Sequence, residues 1–483
     1  MADHSPEVVV VGFDGASWSF LETLIKDGEL PVIGGLLEDG LWGDLESTLP
    51  PITFPAWHSL FTGLNPGRIG VFEFAQVDRS ARRIRINTPR MLRGEAVWKI
   101  AGRRGLRSVV VNVPTARVEE VNGVIVGGPF SAASRLVYPP SYRLVLRLVG
   151  YESYPVELTK VFLQHYKQPE NLFRIVKRTV DSRFKLARLL AEKVKPSLLV
   201  LVLFLTDSIQ HFYWGSDLFH EMWRYLDLKL GELVDTWSDS TLILCSDHGF
   251  TEVSKAFYLP KFLEELGLMK LKKGSVLRLK MLRMGGLVKT ARTLHLDRVA
   301  VRVVGVERLN RLLASFYGSG KVGVKGLESL VDWDESACIP VRNTLYVLNP
   351  EKLDLEELKR ELLDFRDEDG ERVIEAVYEK SEIYWGPYLE EAPDLVVVPR
   401  EGFTMQDNPL ASRVVEEVGE GGWIADHTTR GLILVRGHCT GSRGRVSSAS
   451  IYDVAPTIME FLGIPIPEDL DGRSLVSRGR CVG

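Results

Sequence analysis

Three short apolar runs, each spilling into an aspartate, limit what this chain can fold into. Residues 7–13 (EVVVVGF) lead to Asp14-Gly15, and residues 197–205 lead to Thr206-Asp207. Residues 241–245 lead to Ser246-Asp247-His248-Gly249. Short runs this apolar and β-branched read as strands buried on both faces, which means parallel strands covered by helices. Residues 107–113 and 123–126 read the same way, and helical periodicity falls at 18–26, 96–104, 172–194 and 219–237. The alternation predicts an α/β fold with a doubly wound, mostly parallel central sheet and helices on both faces. In open sheets of this kind ligands bind beyond the carboxyl ends of the strands, where these aspartates lie.

A second stretch carries a candidate nucleophile. In Pro50-Pro51-Ile52-Thr53-Phe54-Pro55-Ala56-Trp57-His58-Ser59-Leu60-Phe61-Thr62-Gly63, prolines bracket Thr53, and Pro55 suits a first helical turn. Apolar residues at helical spacing run from there until Gly63 closes the segment. A hydroxyl at the start of a helix meets the positive end of the dipole, which favours an alkoxide and holds phosphate. A threonine there is by itself more often a cap than a nucleophile. His58, further along the same helix, reads as a packing residue.

At 483 residues the chain exceeds one simple core. The expected layout is a core over 1–252 and 391–483, where residues 394–398 and 431–435 look like returning strands, with a cap or lid inserted at 253–390. Within the insertion, 270–308 is Lys/Arg-rich with leucines at helical spacing and reads as a basic surface helix pair. Asp453 is expected to cap a final helix over 454–462.

A net charge of −4 gives no reason to expect nucleic acid. Four scattered cysteines without CxxC spacing argue against a disulfide framework and a thiolate zinc cluster, and fit a reducing compartment. The polar N-terminus is no signal peptide, and no apolar run would cross a bilayer. A soluble, cytoplasmic protein with no membrane partner is expected, and scarce Asn and Gln lean toward a thermophilic source.

Asp14, Asp207, His211, Asp247, His248 and His427 complete the picture. His211 follows Asp207 by one helical turn, and Gly249 lets the backbone bend after Asp247-His248. Three aspartates and three histidines form a hard-to-borderline set suited to two divalent ions, zinc or else manganese. Two dications against three carboxylates and a Thr53 alkoxide leave a near-neutral cluster able to accept phosphate.

In this order the residues resemble the alkaline phosphatase superfamily, specifically its type I phosphodiesterase/nucleotide pyrophosphatase-like branch. The carrying motifs are Phe13-Asp14-Gly15, Thr53-Phe54-Pro55, Thr62-Gly63-Leu64-Asn65-Pro66, Asp207 with His211, Asp247-His248-Gly249 and Asp426-His427. Asn112-Val113-Pro114, Val331-Asp332-Trp333, Gly421-Gly422-Trp423 and 453–458 (DVAPTI) are similar to a group described as predicted phosphohydrolases/phosphomutases.

The resemblance implies an alkaline-phosphatase-like core and a two-metal hydrolase of small-molecule phosphodiesters or other phosphate esters. It implies that Asp207, His211 and His427 hold one metal. Asp14, Asp247 and His248 hold the other together with Thr53, which forms a covalent phospho-threonine. A phosphomutase or phosphotransferase could use the same groups, and a metal-stabilised binding protein would have lost one of them. Phe74 and Ala56 stand where nucleotide pyrophosphatases usually carry asparagines, which argues against a strict nucleotide specificity.

Overall fold

The computed structural model describes residues 4–162, 171–272, 274, 324–419, 422–437 and 443–476. Residues 275–308 of the basic stretch lie outside the described residues. The chain divides into two compact units. One comprises residues 1–70, 88–252 and 424–483, and the other residues 71–87 and 253–423.

The first unit is built on a ten-stranded sheet. Across it run Gly444–Arg445, Leu41–Glu46, Arg430–Arg436, Thr241–Cys245, Val8–Phe13, Leu198–Leu203, Ser108–Val111, Gly123–Val126 and Val137–Tyr138, with Ala449–Ser450 beside Leu41–Glu46. From Thr241–Cys245 to Gly123–Val126 every pairing is parallel, so the doubly wound core is the one the apolar runs demand. Arg430–Arg436 joins antiparallel, as does Val137–Tyr138 at the far edge.

Alternate residues of the central strand serve opposite faces. Val9, Val11 and Phe13 pack with helices Trp18–Lys26, Pro31–Asp39, Leu172–Val194 and Asp217–Thr236. Val8 and Val10 pack with Thr53–Thr62, Val97–Arg103 and Val454–Phe461. Full burial of each such side chain is worth about 1.5–3 kcal/mol, which explains the absence of polar residues from the run.

The second unit holds an antiparallel sheet in the order Cys338–Val341, Thr344–Val347, Leu395–Pro399, Ile374–Glu379. Residues 394–398, which read from sequence as a return to the main sheet, therefore belong to this sheet. An apolar run fixes burial but not its neighbours. The strand Gly249–Tyr258 pairs through 249–252 with Ala425–Thr428, and further on with Gly402–Gln406 and Val415–Glu417.

Asp453 also departs from expectation. It precedes the helix Val454–Phe461, but its carboxylate accepts the Ser450 and Arg473 N–H groups and does not cap that helix.

Candidate metal centre and nucleophile

Register brings the three carboxylates together. Val8–Phe13 pairs residue for residue with Leu198–Leu203 on one side, and Val8–Gly12 pairs with residues 241–245 on the other. The three strands end level, and Asp14 follows the central one. Side chains then stitch the emerging loops. Thr206 donates to the Asp14 carbonyl at 2.6 Å, Gln210 to Gly15 at 2.9 Å and Ser246 to Ala16 at 2.6 Å.

Asp207 sits in the first turn of helix Leu205–Tyr213, and His211 one turn later brings its Nε2 to 3.2 Å from Asp207 Oδ1. His427 precedes the strand Arg430–Arg436, as the sequence suggests, and itself sits in a strand. It is inside the short strand Ala425–Thr428, opposite Phe250, with its Nε2 3.0 Å from Asp207 Oδ1. Gly249 works by close approach and not by a bend. A Cβ there would lie 2.1 Å from the Arg430 carbonyl oxygen.

On the other side, His248 Nε2 lies 3.2 Å from Asp247 Oδ2 and 3.6 Å from Asp14 Oδ1. The His248 and His427 rings stack with centroids 3.7 Å apart, so the two groups adjoin. Ligand atoms of Asp14, Asp247 and His248 lie within 4.8 Å of one another, as do those of Asp207, His248 and His427, and of His211, Asp426 and His427. The sequence-predicted set is therefore gathered in one place, and the buried Asp426 joins it.

Hydrogen bonding indicates which ring atoms face the cluster. Nδ1 of His211 reaches the Ala425 carbonyl at 2.8 Å, Nδ1 of His427 reaches Pro51 at 2.9 Å, and Nδ1 of His248 reaches Gly249 at 3.1 Å. A carbonyl accepts only from an N–H, so the tautomer assigned from these bonds leaves each Nε2 as a lone pair. Those lone pairs point at carboxylate oxygens and, between His211 and His427, at each other across 3.2 Å. Acceptors facing acceptors repel unless cations lie between them, and carbonyl-anchored Nδ1 atoms are the usual support of metal-binding imidazoles.

Asp14 Oδ1, Asp207 Oδ2 and Asp247 Oδ2 are buried with no hydrogen-bond partner among the described residues. The residues present thus fit a pair of divalent ions.

Charge bears this out. Burial, then the charges of Asp247 and Asp207, push Asp14 well above the ordinary carboxylate range. Burial and Asp207 do the same to Asp247, against the Gly15 N–H it accepts. Burial also opposes ionisation of Asp207, which would be held well below that range only by positive charge or donated protons on the His211 and His427 side. Burial depresses His248 strongly and His427 less. Without cations the pocket resists its own negative charge.

Thr53 opens the helix Thr53–Thr62, whose N-cap is Ile52, so the threonine side chain does not cap the helix. Its Oγ1 lies 3.3 Å from His248 Nε2. His58 on the same helix makes a 2.6 Å bond to the Arg93 carbonyl, a structural contact. Trp57, one turn after Thr53, donates from Nε1 to Asp14 Oδ2 at 2.7 Å. Sequence reasoning took Trp57 for core alone, although its i+4 spacing from Thr53 was the available signal. Asp426, adjacent to His427, went unassigned for want of any spacing signal.

A model of the type I phosphodiesterase/nucleotide pyrophosphatase family matches residues 8–424. The chain belongs to that family. It is accordingly a metal-dependent hydrolase of phosphate ester bonds, within the alkaline phosphatase superfamily. No curated protein sequence matches it.

Among solved structures, phosphonoacetate hydrolase from Sinorhizobium meliloti 1021, in complex with phosphonoformate, is similar at a TM-score of 0.59 and 16% identity, over 94% of each chain. An inactive variant of murine ectonucleotide pyrophosphatase/phosphodiesterase 5 in complex with AMP gives 0.54 and 15%, over 96% of this chain and 97% of that one. The human counterpart gives 0.55 and 15%, over 96% of each. These likenesses establish the shared fold.

Proposed function

We propose that this family member cleaves a phosphodiester or another small phosphate ester through a covalent phospho-threonine on Thr53. The observation that carries the reading is the placement of Thr53 Oγ1, at the positive end of a buried helix and beside His248 in a cluster suited to two cations. Asp207, His211 and His427 would hold one divalent ion and Asp14, Asp247 and His248 with Thr53 the other, zinc or else manganese. Such ions supply charge neutralisation at the phosphoryl oxygens and a lowered pKa for the attacking oxygen.

The Thr53 hydroxyl gives up its proton and its oxygen bonds to phosphorus, while the bond to the leaving oxygen breaks and that oxygen takes up a proton. Water then attacks the same phosphorus, the bond to Thr53 breaks, and the hydroxyl is restored. Two in-line displacements predict retention at phosphorus. Asp14, fixed by Trp57, and His427, fixed by the Pro51 carbonyl, keep both ligand groups aligned with the loop that carries Thr53. The fold neighbours are named for two different activities, so the fold leaves the ester open.

The test is hydrolysis of aryl phosphate mono- and diesters by the metal-loaded protein and by Thr53→Ala, with metal content measured on both. Turnover should fall by roughly four orders of magnitude or more with both ions retained. Acid quenching with labelled substrate should trap phosphoprotein only when Thr53 is present. Undiminished turnover in Thr53→Ala would remove Thr53 from this role.

A further inference from the structure

The first unit carries a face that the reaction does not use. Helix Arg143–Leu148 turns Leu144 and Leu148 outward at 63% and 72% exposure, the two most exposed large apolar side chains among the described residues. They stand one turn apart, interleaved with the exposed Arg143 and Arg147. At the end of this helix, Val149 lines a cleft of about 720 Å³ whose other wall is helix Leu172–Val194.

That wall presents Arg174, Lys177, Arg178 and Lys185, with Asp181 as its acidic member. Asp181 is engaged by Lys229 at 3.4 Å and by the Tyr225 hydroxyl. Arg178 is shared with Glu157 and Glu152, at 3.4 and 3.9 Å. In a chain of net charge −4, such a cationic cleft beside protruding leucines is a local arrangement.

We propose that this face docks on an anionic lipid surface. Leucine tips flanked by arginines suit the boundary between headgroups and acyl chains, and the cleft complements the phosphates of acidic lipids. Protrusion favours a bilayer over a peptide, which would need a groove lined with apolar side chains. The loop that leaves this helix carries Tyr154, whose hydroxyl lies 2.7 Å from Ser208 Oγ, next to Asp207. That loop thus links the docking face, along the chain, to the edge of the metal centre. A sequence without a spanning run suggested no membrane partner, but a surface patch of this kind leaves no such run. The proposal does not depend on which ester is cleaved.

The test is co-sedimentation of the full-length protein with vesicles of phosphatidylcholine alone and of phosphatidylcholine containing about one third phosphatidylglycerol. Binding to the anionic vesicles only is expected, weakened severalfold or more on raising salt from roughly 0.05 to 0.5 M. Leu144→Ser/Leu148→Ser and, separately, Arg174→Gln/Lys185→Gln should each lower partitioning about tenfold or more, with hydrolysis of a soluble aryl ester unchanged. Absence of binding, or binding that survives both pairs of substitutions, overturns the proposal. So does a dimer in solution that dissociates in Leu144→Ser/Leu148→Ser, because the face would then belong to a second copy.

Discussion

Trp57 shows how much of the centre rests on a residue that bears no ligand atom. Its indole N–H holds Asp14 Oδ2 at 2.7 Å, which leaves Oδ1 to face His248. Trp57→Phe removes that donor together with part of a fully buried ring, so the denaturation midpoint is measured alongside to separate lost packing from the lost hydrogen bond. Activity is expected to fall about 10- to 100-fold, with weaker retention of the ion at Asp14, Asp247 and His248. Metal titration beside kinetics checks this, and unchanged metal affinity would count against it.

His58 supplies a contrast at the same scale. Burial lowers its pKa from 6.5 to about 4, so the fold holds a neutral ring that the unfolded chain would protonate. Its contribution is fully present above about pH 6.5 and is lost as pH falls toward 4, by up to about 3 kcal/mol. His58→Gln should flatten that part of the stability profile in denaturant titrations between about pH 4 and 7. Both roles depend on partners distant in sequence, Asp14 for one and the Arg93 carbonyl for the other, which local spacing does not reveal.

Among the elements, those whose identity depends on local pattern were legible, and those that depend on pairing were not. The strand Thr241–Cys245 and the helices Trp18–Lys26 and Leu172–Val194 fall where apolar periodicity puts them. The sequence also indicated that Asp14, Asp207 and Asp247 end strands. It did not indicate that those strands are adjacent and level, which only register decides. Nor did it show His427 within a strand, because Ala425–Thr428 is short and lacks an apolar signature.

Gly249 marks the crossing of these elements. The Arg430 carbonyl and Thr428 Oγ1 would lie 2.1 and 2.4 Å from a Cβ built on it. Backbone cannot yield as a side chain end can, so Gly249→Ala is expected to cost roughly 2–4 kcal/mol. By pushing the 425–428 strand aside it should also weaken the metal group containing His427. A variant with native denaturation midpoint and native metal content would contradict the close-approach account.

At the scale of the whole molecule, the chain is folded back on itself so that distant segments share one cluster. Residues 71–87, early in the sequence, belong with 253–423, where Ala75, Val77 and Ile84 join the core of Phe257, Phe262 and Tyr346. Nothing in the composition of 71–87 assigns them there. The first unit gathers its candidate ligands from 14, 207, 211, 247–248 and 427, and the carboxylates among them oppose one another when no cation is bound. Divalent ions bound there would act as cross-links between these segments, in addition to the strand pairing and apolar packing that join them.

Binding to the folded state at a hundred times Kd adds about 2.7 kcal/mol per site, so chelation is expected to lower the melting temperature by several degrees as well as to abolish hydrolysis. The loss should be local. Amide exchange ought to rise around 14–17, 51–57, 205–213, 247–252 and 424–428, while the sheet containing Leu395–Pro399 keeps its protection. Restoring zinc or manganese separately, and comparing recovered turnover with recovered melting temperature, then ranks the ions. Chelation that leaves both exchange and melting unchanged would mean that these six side chains are held in place without metal, and the two-ion reading would lose its structural basis.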